Sequence, residues 1–130
     1  MCIRDSVDPR HMERSFAATD RLRIEGTDNL LAAARAVGVR RFIAQSNGGF
    51  TYARTGGPVK TEQDPLDPAP IRPMASMISA LKHLEGAVLG ADWTEGVVLR
   101  YGAFYGPGTS MAPGSEQFAV SYTHLTLPTN

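Results

Sequence analysis

Ser46 is the residue whose type and position best suit chemistry. It ends segment 41–46, which is interpreted as a short buried strand, and residues 47–49 after it form an Asn-Gly-Gly turn signal. A hydroxyl at the carboxyl end of such a strand could donate a hydrogen bond to a carbonyl or alkoxide of a ligand, because open parallel sheets bind their ligands at that edge. The alternative is a structural hydroxyl that bonds to the backbone of the following turn. Both interpretations are open.

Other chemistry-bearing residues lack the spacing that a metal site or a paired-carboxylate site needs. His11 and His83 have no metal-ligand spacing with any Cys or acidic cluster, so no metal site is predicted. The acidic residues of the long central loop are interpreted as solvated turn residues: Glu62, Asp64 and Asp67.

The elements that would position Ser46 alternate between helix and strand. Apolar residues at helical spacing predict helix over 11–37, either as one long helix or as two with Thr27 or Asp28 as N-cap, and Gly38 ends it. A Gly-, Pro- and Asp-rich loop covers 47–72, a further helix covers 73–89 and a second strand covers 97–101. Strands joined through a helix pair in parallel, so the order predicts an α/β fold. Too few helices are present to cover both sheet faces, which predicts part of a larger doubly wound sheet.

The composition excludes several classes of protein. The 130 residues carry thirteen basic and thirteen acidic side chains, so no excess positive charge is available for nucleic acid or an acidic membrane surface. One cysteine cannot form a disulfide framework, and no apolar run approaches the roughly 18 residues that cross a bilayer. We therefore expect a cytoplasmic globular protein with no nucleic-acid or membrane partner.

The two ends of the chain are expected to lie outside the protein domain. Residues 1–5 can be encoded by ATG TGT ATA AGA GAC, and the reverse complement of that string encodes Val-Ser-Tyr-Thr-His, which is the sequence of residues 120–124. Selection on a protein does not produce such an inverted repeat, whereas a sequencing adapter translated with the gene does. We expect 1–6 and 120–130 to be adapter-derived and 7–119 to be a fragment of the authentic domain.

Three blocks of the middle segment follow one another in an order found in one enzyme family. They are GTDNLLAAAR at 26–35, GVRRFI at 38–43 and LRYGAFYGPG at 99–108. In these blocks the chain resembles the NAD-dependent epimerase/dehydratase family, the extended or atypical short-chain dehydrogenase/reductases. The resemblance implies that 7–119 is the C-terminal part of an NAD(P)-binding Rossmann domain, with NAD or NADP as cofactor and a small carbonyl or hydroxyl compound as substrate. It also implies a homodimer of the full-length protein.

The resemblance assigns roles to individual residues. The family's catalytic Ser or Thr falls on Ser46 or, one residue later, on Asn47. Lys82 would reach the nicotinamide ribose, and the alternative is a lysine on a solvated helix face. The backbone of three consecutive residues after the second strand would approach the nicotinamide: Tyr101, Gly102 and Ala103.

The family's catalytic Tyr-x-x-x-Lys pair is missing. In the family the ammonium lies one helical turn from the phenol and lowers its pKa, so that the Tyr can exchange a proton with a substrate hydroxyl. Counting four residues back from Lys82 gives Ile78, and the alternative register pairs Met77 with Leu81. A non-catalytic NAD(P)-binding sensor or regulatory protein is therefore the alternative function, and whether the protein is an enzyme stays open.

Three further features of the family are missing or altered in this sequence. The Gly-rich turn that binds the pyrophosphate does not occur within 7–119, because the glycine pairs at 48–49 and 56–57 do not open into a helix and are interpreted as turns. Arg23 stands where an Asn is common in the first helix. Ala103 stands where many nucleotide-sugar enzymes have Asn, which argues against a nucleotide-sugar substrate.

Overall fold

The computed structural model describes residues 12–104 and 106–109. The two terminal segments that the sequence assigns to an adapter lie outside these residues, as does His11. The chain divides into one compact unit that ends at Arg100 and a second that begins at Tyr101.

The first helical region is one continuous stretch of backbone. Helix α1 covers Met12–Arg21, a π-helical turn covers Leu22–Gly26, and helix α2 covers Thr27–Ala36. Gly26 and Thr27 both have right-handed helical torsions, so of the two predicted alternatives the structure has the continuous helix and not the restart with an N-cap. Gly38 has a φ of 70° and follows the end of α2, which confirms its predicted place in the helix C-terminus.

The rest of the unit is a strand, a long loop, a helix and a second strand. Strand β1 covers Arg41–Asn47, a 3-10 turn at Arg72–Met74 leads into helix α3 at Ala75–Leu89, and strand β2 covers Glu95–Tyr101. The two strands form a two-stranded sheet, and the Glu95 N–H donates to Arg40 O at 3.0 Å where both strands begin. The strands are therefore parallel, and the α/β class predicted from the sequence is confirmed at this level.

Helix α3 supplies most of the core. It contacts β1, α1 and α2, and its buried residues repeat at helical spacing: Met77, Ile78, Ala80, Leu81, Leu84, Glu85 and Val88. A buried cluster joins three of these to Leu66 of the long loop, with Phe16 and Met74 packed against it. Burial of this face stabilises the unit by the hydrophobic effect and fixes α3 against β1.

The sheet is more covered on one side than on the other. Alternate residues of β1 differ in burial: Arg41, Ile43 and Gln45 are exposed, whereas Ser46 is buried. Ile43 is 58% exposed. Helix α3 therefore covers one face of β1, while the opposite face is more exposed; a larger doubly wound sheet stays a prediction.

Candidate functional site

Ser46 is buried at the carboxyl end of β1. Its residue surface is 3% exposed, and its hydroxyl donates to Glu85 Oε1 at 2.6 Å. Glu85 lies on the face of α3 that contacts β1, one turn after Leu81. The Ser46 hydrogen is thus directed to a carboxylate on the adjacent helix and not to the turn after β1 or into open space.

Arg100 is the second partner of Glu85. Its Nε donates to Oε1 at 2.9 Å and its Nη2 donates to Oε2 at 2.7 Å, which is a two-point ion pair. The two side chains are 17% and 9% exposed, respectively. Ser46, Glu85 and Arg100 together form what is called here the buried network.

The charges of the buried network stabilise one another. Burial raises the pKa of the Glu85 carboxyl, but hydrogen bonds from Arg100 and Ser46 outweigh burial and hold that pKa below its usual value. The hydrogen bond to Glu85 raises the pKa of the Arg100 guanidinium above its usual value. Glu85 is therefore an acceptor-only carboxylate at neutral pH, and it does not serve as a proton donor.

Arg100 also holds the long loop against the sheet. Its Nη1 donates to Asp64 O at 2.7 Å, and its guanidinium carbon lies 5.3 Å from the centre of the Tyr52 ring, within cation–π distance. Within the loop, Tyr52 and Leu66 form an isolated antiparallel bridge. The side chain of Arg100 thus connects β2 to the loop that the sequence predicts to be irregular.

Asn47 and Thr51 fix the start of the loop. Asn47 Oδ1 accepts from the Gly49 N–H at 3.0 Å, and Thr51 Oγ1 donates to Asn47 O at 2.6 Å. Thr51 is fully buried, and its carbonyl accepts from the Asp67 N–H at 2.8 Å. The turn after β1 is therefore held by side chains as well as by backbone.

The acidic loop residues differ from one another. Asp67 is 8% exposed, so its interpretation as a solvated turn residue is wrong: its Oδ1 accepts from the Ala69 N–H at 2.9 Å and closes a turn. Glu62 and Asp64 are exposed or half-buried. Hydrogen bonds from the Thr61 backbone and hydroxyl hold the pKa of Asp64 below its usual value.

The structure does not bring Lys82 into the buried network. Lys82 is exposed on α3, and its Nζ donates to Asp67 O at 2.8 Å. Tyr101, Gly102 and Ala103 are exposed in the second unit, where the Tyr101 and Phe104 rings meet edge to face at 5.5 Å. A cofactor role for these four residues stays a prediction, as does the catalytic role of Ser46.

The positions expected for the missing Tyr-x-x-x-Lys pair are apolar core. Met77 and Ile78 are each 2% exposed and Leu81 is fully buried, and all three belong to the central cluster with Leu66. Neither register places a titratable pair there. Whatever chemistry the protein performs, these positions supply no proton.

Arg23 is half-buried in the π-helical turn. Its Nη1 lies 3.6 Å from Asp20 Oδ1, and burial lowers the pKa of its guanidinium. Neither carboxylate oxygen of Asp20 has a hydrogen-bond partner in the part of the chain that the structure describes. An open hollow of about 310 Å³ lies beside this turn, lined by Ala17, Asp20, Arg21, Ile24, Glu25 and Ser76.

Glu85 and Arg100 are the site residues that sequence reasoning missed. The signal was present, because Glu85 lies four residues after Leu81 and three before Val88, within the apolar face of a helix. Arg100 interrupts an apolar strand. A charge of each sign inside apolar elements indicates a buried ion pair, since buried charges must be paired.

Among residues 12–104 and 106–109 there is no group of three His, Cys, Asp or Glu that could hold a metal ion. In the same residues no helix is long and apolar enough to cross a membrane.

Comparison with known proteins finds similarity to a protein that is named a reductase. The chain is 46% identical over 116 residues to a Streptomyces protein named 3-diazoavenalumate denitrifying reductase, and the match covers 88% of this chain and 38% of that protein. The chain thus spans about two fifths of the length of the relative it matches. No protein-family model matches the chain, and no solved structure matches it significantly.

Proposed function

We propose that this chain is part of an NAD(P)-dependent reductase of the epimerase/dehydratase type, which transfers a hydride to a small-molecule substrate. The observation that carries the proposal is the similarity to the Streptomyces reductase along nearly the whole chain. The parallel β1–α3–β2 arrangement supports it, because ligands of such sheets bind at the carboxyl ends of the strands.

Two separate features of the chain support a nicotinamide cofactor. Gly102 and Ala103 follow β2 directly, are exposed, and are small enough for a ring to approach the backbone. Lys82 lies on α3 as the only ammonium of that helix. NAD or NADP would supply the hydride, and the pyrophosphate would be held by a Gly-rich turn in the remaining part of the reductase.

The apolar positions 77, 78 and 81 favour a substrate that accepts a hydride without a proton from this helix. Reduction of a carbonyl needs both a hydride and a proton, and the missing Tyr would normally supply the proton. When a hydride attacks a diazonium carbon, the new C–H bond replaces the C–N bond, whose electron pair leaves with N2. No proton is required because the diazonium group carries the positive charge that the hydride neutralises, and the name of the Streptomyces relative describes a denitrifying reduction of a diazo compound. We therefore propose a diazo compound that reacts in its diazonium form as the first substrate to test, ahead of a small carbonyl or hydroxyl compound.

A chimeric enzyme tests the proposal. The matched 116 residues of this chain replace their counterparts in the Streptomyces reductase, and oxidation of NADH and NADPH is measured with 3-diazoavenalumate, with the unaltered reductase as control. We expect turnover within about tenfold of the control. A chimera that melts like the control but binds neither dinucleotide would contradict the proposal.

The second candidate is a non-catalytic NAD(P)-binding protein of the same fold. Burial of Met77 and Ile78 where a catalytic Tyr is expected favours it. The same chimera separates the two candidates: cofactor binding without hydride transfer to the diazo compound, or to a panel of aldehydes and ketones, would support the sensor.

A further inference from the structure

We propose that Arg54, on the loop after β1, binds the carboxylate of the substrate, and that the Lys82 ammonium is the second positive charge of the same site. The proposal deepens the proposed function, on which it rests for the existence of a substrate at this side of the sheet. It names a substrate class, small molecules that carry a carboxylate, and the residue that selects them.

The Arg54 guanidinium is free to bind a ligand. Its side chain is 74% exposed, and the nearest acid is Asp67, whose Oδ2 lies 3.9 Å from the Arg54 Nε, beyond hydrogen-bond distance. Within the residues that the structure describes, this guanidinium donates no hydrogen bond. Because Nε is the atom that faces Asp67, the edge formed by Nη1 and Nη2 is available, and two parallel N–H groups match the two oxygens of a carboxylate.

The buried Asp67 holds a second cation close to the first. Asp67 is 8% exposed, its Oδ1 accepts from the Ala69 N–H at 2.9 Å, and its carbonyl accepts from Lys82 Nζ at 2.8 Å. Lys82 uses one of the three hydrogens of its ammonium in this bond, so the others are available. Arg54 and Lys82 together with one carboxylate leave one positive charge in excess, which favours an anion here.

The site lies on the side of the sheet where ligands bind. The loop starts at the carboxyl end of β1 and leads into α3, so α3 runs back along the sheet from that end. Glu85 of α3 accepts from Ser46, near the end of β1, at 2.6 Å. Lys82 is three residues nearer to the start of α3, a rise of about 4.5 Å along the helix axis, and therefore lies beyond the carboxyl end of the strand.

The ligand chemistry of an exposed arginine beside a lysine is that of an oxyanion. The arginine fork fixes the orientation of a planar carboxylate, and the ammonium adds a point charge. Two sources of such a group are at hand, the substrate and the phosphates of the dinucleotide. The substrate is favoured, because the proposed function places the pyrophosphate on a Gly-rich turn outside the matched residues, and the name of the relative's substrate is that of a carboxylate anion.

Two substitutions of Arg54 in the chimeric reductase test the assignment. Arg54→Gln removes the charge and keeps a polar side chain, and Arg54→Lys keeps the charge without the fork. Arg35→Gln is the matched control, since it removes the same charge from an exposed position on α2. The kcat and KM are measured with 3-diazoavenalumate and with its methyl ester, which lacks the carboxylate charge, and the dissociation constants are measured for NADH and NADPH.

We expect Arg54→Gln to raise the KM for the acid about 5- to 12-fold, between the value of an exposed ion pair and the lower value of a charge-assisted hydrogen bond. The KM for the ester and the binding of both cofactors should not change. Arg54→Lys should recover part of the loss, and Arg35→Gln should behave like the unaltered chimera. Equal effects on acid and ester, or weaker binding of either cofactor, would overturn the assignment to a substrate carboxylate.

Lys82→Gln separates a role at this site from a role at the cofactor. We expect it to raise the KM for the acid, by less than Arg54→Gln does, and to leave the dissociation constants of NADH and NADPH unchanged. Weaker cofactor binding with an unchanged KM for the acid would overturn the site with two cations.

Binding of trans-cinnamate, a simple aromatic carboxylate, tests the site apart from hydride transfer. Its dissociation constant is measured by NMR for the chimera and for Arg54→Gln, with cinnamyl alcohol as the uncharged probe. Weaker binding of cinnamate alone in the variant would support the site even in a chimera that reduces no diazo compound, which would contradict only the proposed function. Equal binding of cinnamate to both proteins would overturn the inference.

Discussion

Replacing Arg100 by Met is the most informative single change in the buried network. Met has a similar length and no charge, so it removes four hydrogen bonds of the guanidinium: two to Glu85, at 2.9 and 2.7 Å, one to Asp64 O at 2.7 Å and one to Glu62 O at 3.5 Å. Glu85 would keep only Ser46 as a partner while 9% of its side chain is exposed. The variant therefore contains a nearly unpaired buried carboxylate.

The size of the effect follows from that burial. Removing one partner of a buried ion pair costs about 3–5 kcal/mol. Arg100 is 17% exposed and Ser46 still donates to Glu85, which places the cost near the lower end, at about 3 kcal/mol. For a domain of this size that corresponds to a fall in Tm of about 12–24 °C.

The assay is urea unfolding of the full chain, followed by the fluorescence of Trp93, the single tryptophan. Arg41→Met is the matched control, since Arg41 is also a strand arginine paired with a glutamate, Glu95 at 2.9 Å, but both side chains are 60% exposed. The control should unfold at nearly the wild-type urea concentration.

A double-mutant cycle makes the reasoning refutable. Glu85→Gln alone should destabilise the protein because it weakens the pair, whereas the same change in the Arg100→Met background should stabilise it by removing the unpaired charge. An Arg100→Met variant that loses less than about 1 kcal/mol, or a Glu85→Gln effect of the same sign in both backgrounds, would show that the buried network is not an energetic unit.

Three further changes have defined outcomes. Gly96→Ala should lower the free energy of unfolding by about 2 kcal/mol or more, because the new Cβ would lie 2.1 Å from Val88 O. A urea midpoint equal to that of the wild type would show that the Cβ meets no such clash. Thr51→Val should lower the free energy of unfolding by about 1 kcal/mol, because Asn47 O loses the hydroxyl that donates to it. The matched control is Thr109→Val, which removes the hydroxyl that donates to Gly106 O and should lower the free energy of unfolding by less. In the folded protein the pKa of Glu85 lies below its ordinary value of 4.5. The ionised carboxylate therefore contributes fully to the free energy of unfolding above pH 4.5, and this contribution is lost as the pH falls through the folded pKa. A series of unfolding curves across this range should show stability falling more steeply on acidification in the wild type than in Arg100→Met.

The α/β order and the parallel pairing could be predicted because they depend on local patterns. Apolar spacing identifies α3 and the strands, and a helical crossover fixes the relative direction of β1 and β2. Gly38 could be placed for the same reason, since a positive φ after a helix favours glycine. The choice between one continuous helix and a restart after Gly26 could not be made from the sequence, because Gly-Thr-Asp favours a cap locally, whereas contacts of the π-helical turn with α3 keep the backbone helical.

The buried network depends on distant residues, and this is why residue-by-residue reasoning missed it. Ser46, Glu85 and Arg100 come from a strand, a helix and a second strand, and only their packing shows that they bond to one another. Ser46 alone suggests a donor for a ligand, whereas the carboxylate opposite it shows where the hydrogen goes. Asp67 was misread for a related reason, because its burial comes from a fold of the loop that no local pattern encodes.

Transfer of deuterium from cofactor to product tests the reductase assignment most directly. The chimera that carries the matched residues of this chain is supplied with NADH or NADPH deuterated at C4 of the nicotinamide, and the product of 3-diazoavenalumate is examined by mass spectrometry. We predict one deuterium per product molecule, with the nitrogen lost as N2. A product that forms without deuterium from either face of either cofactor, or no product from a chimera that binds the cofactor, would contradict a hydride-transferring function for this chain.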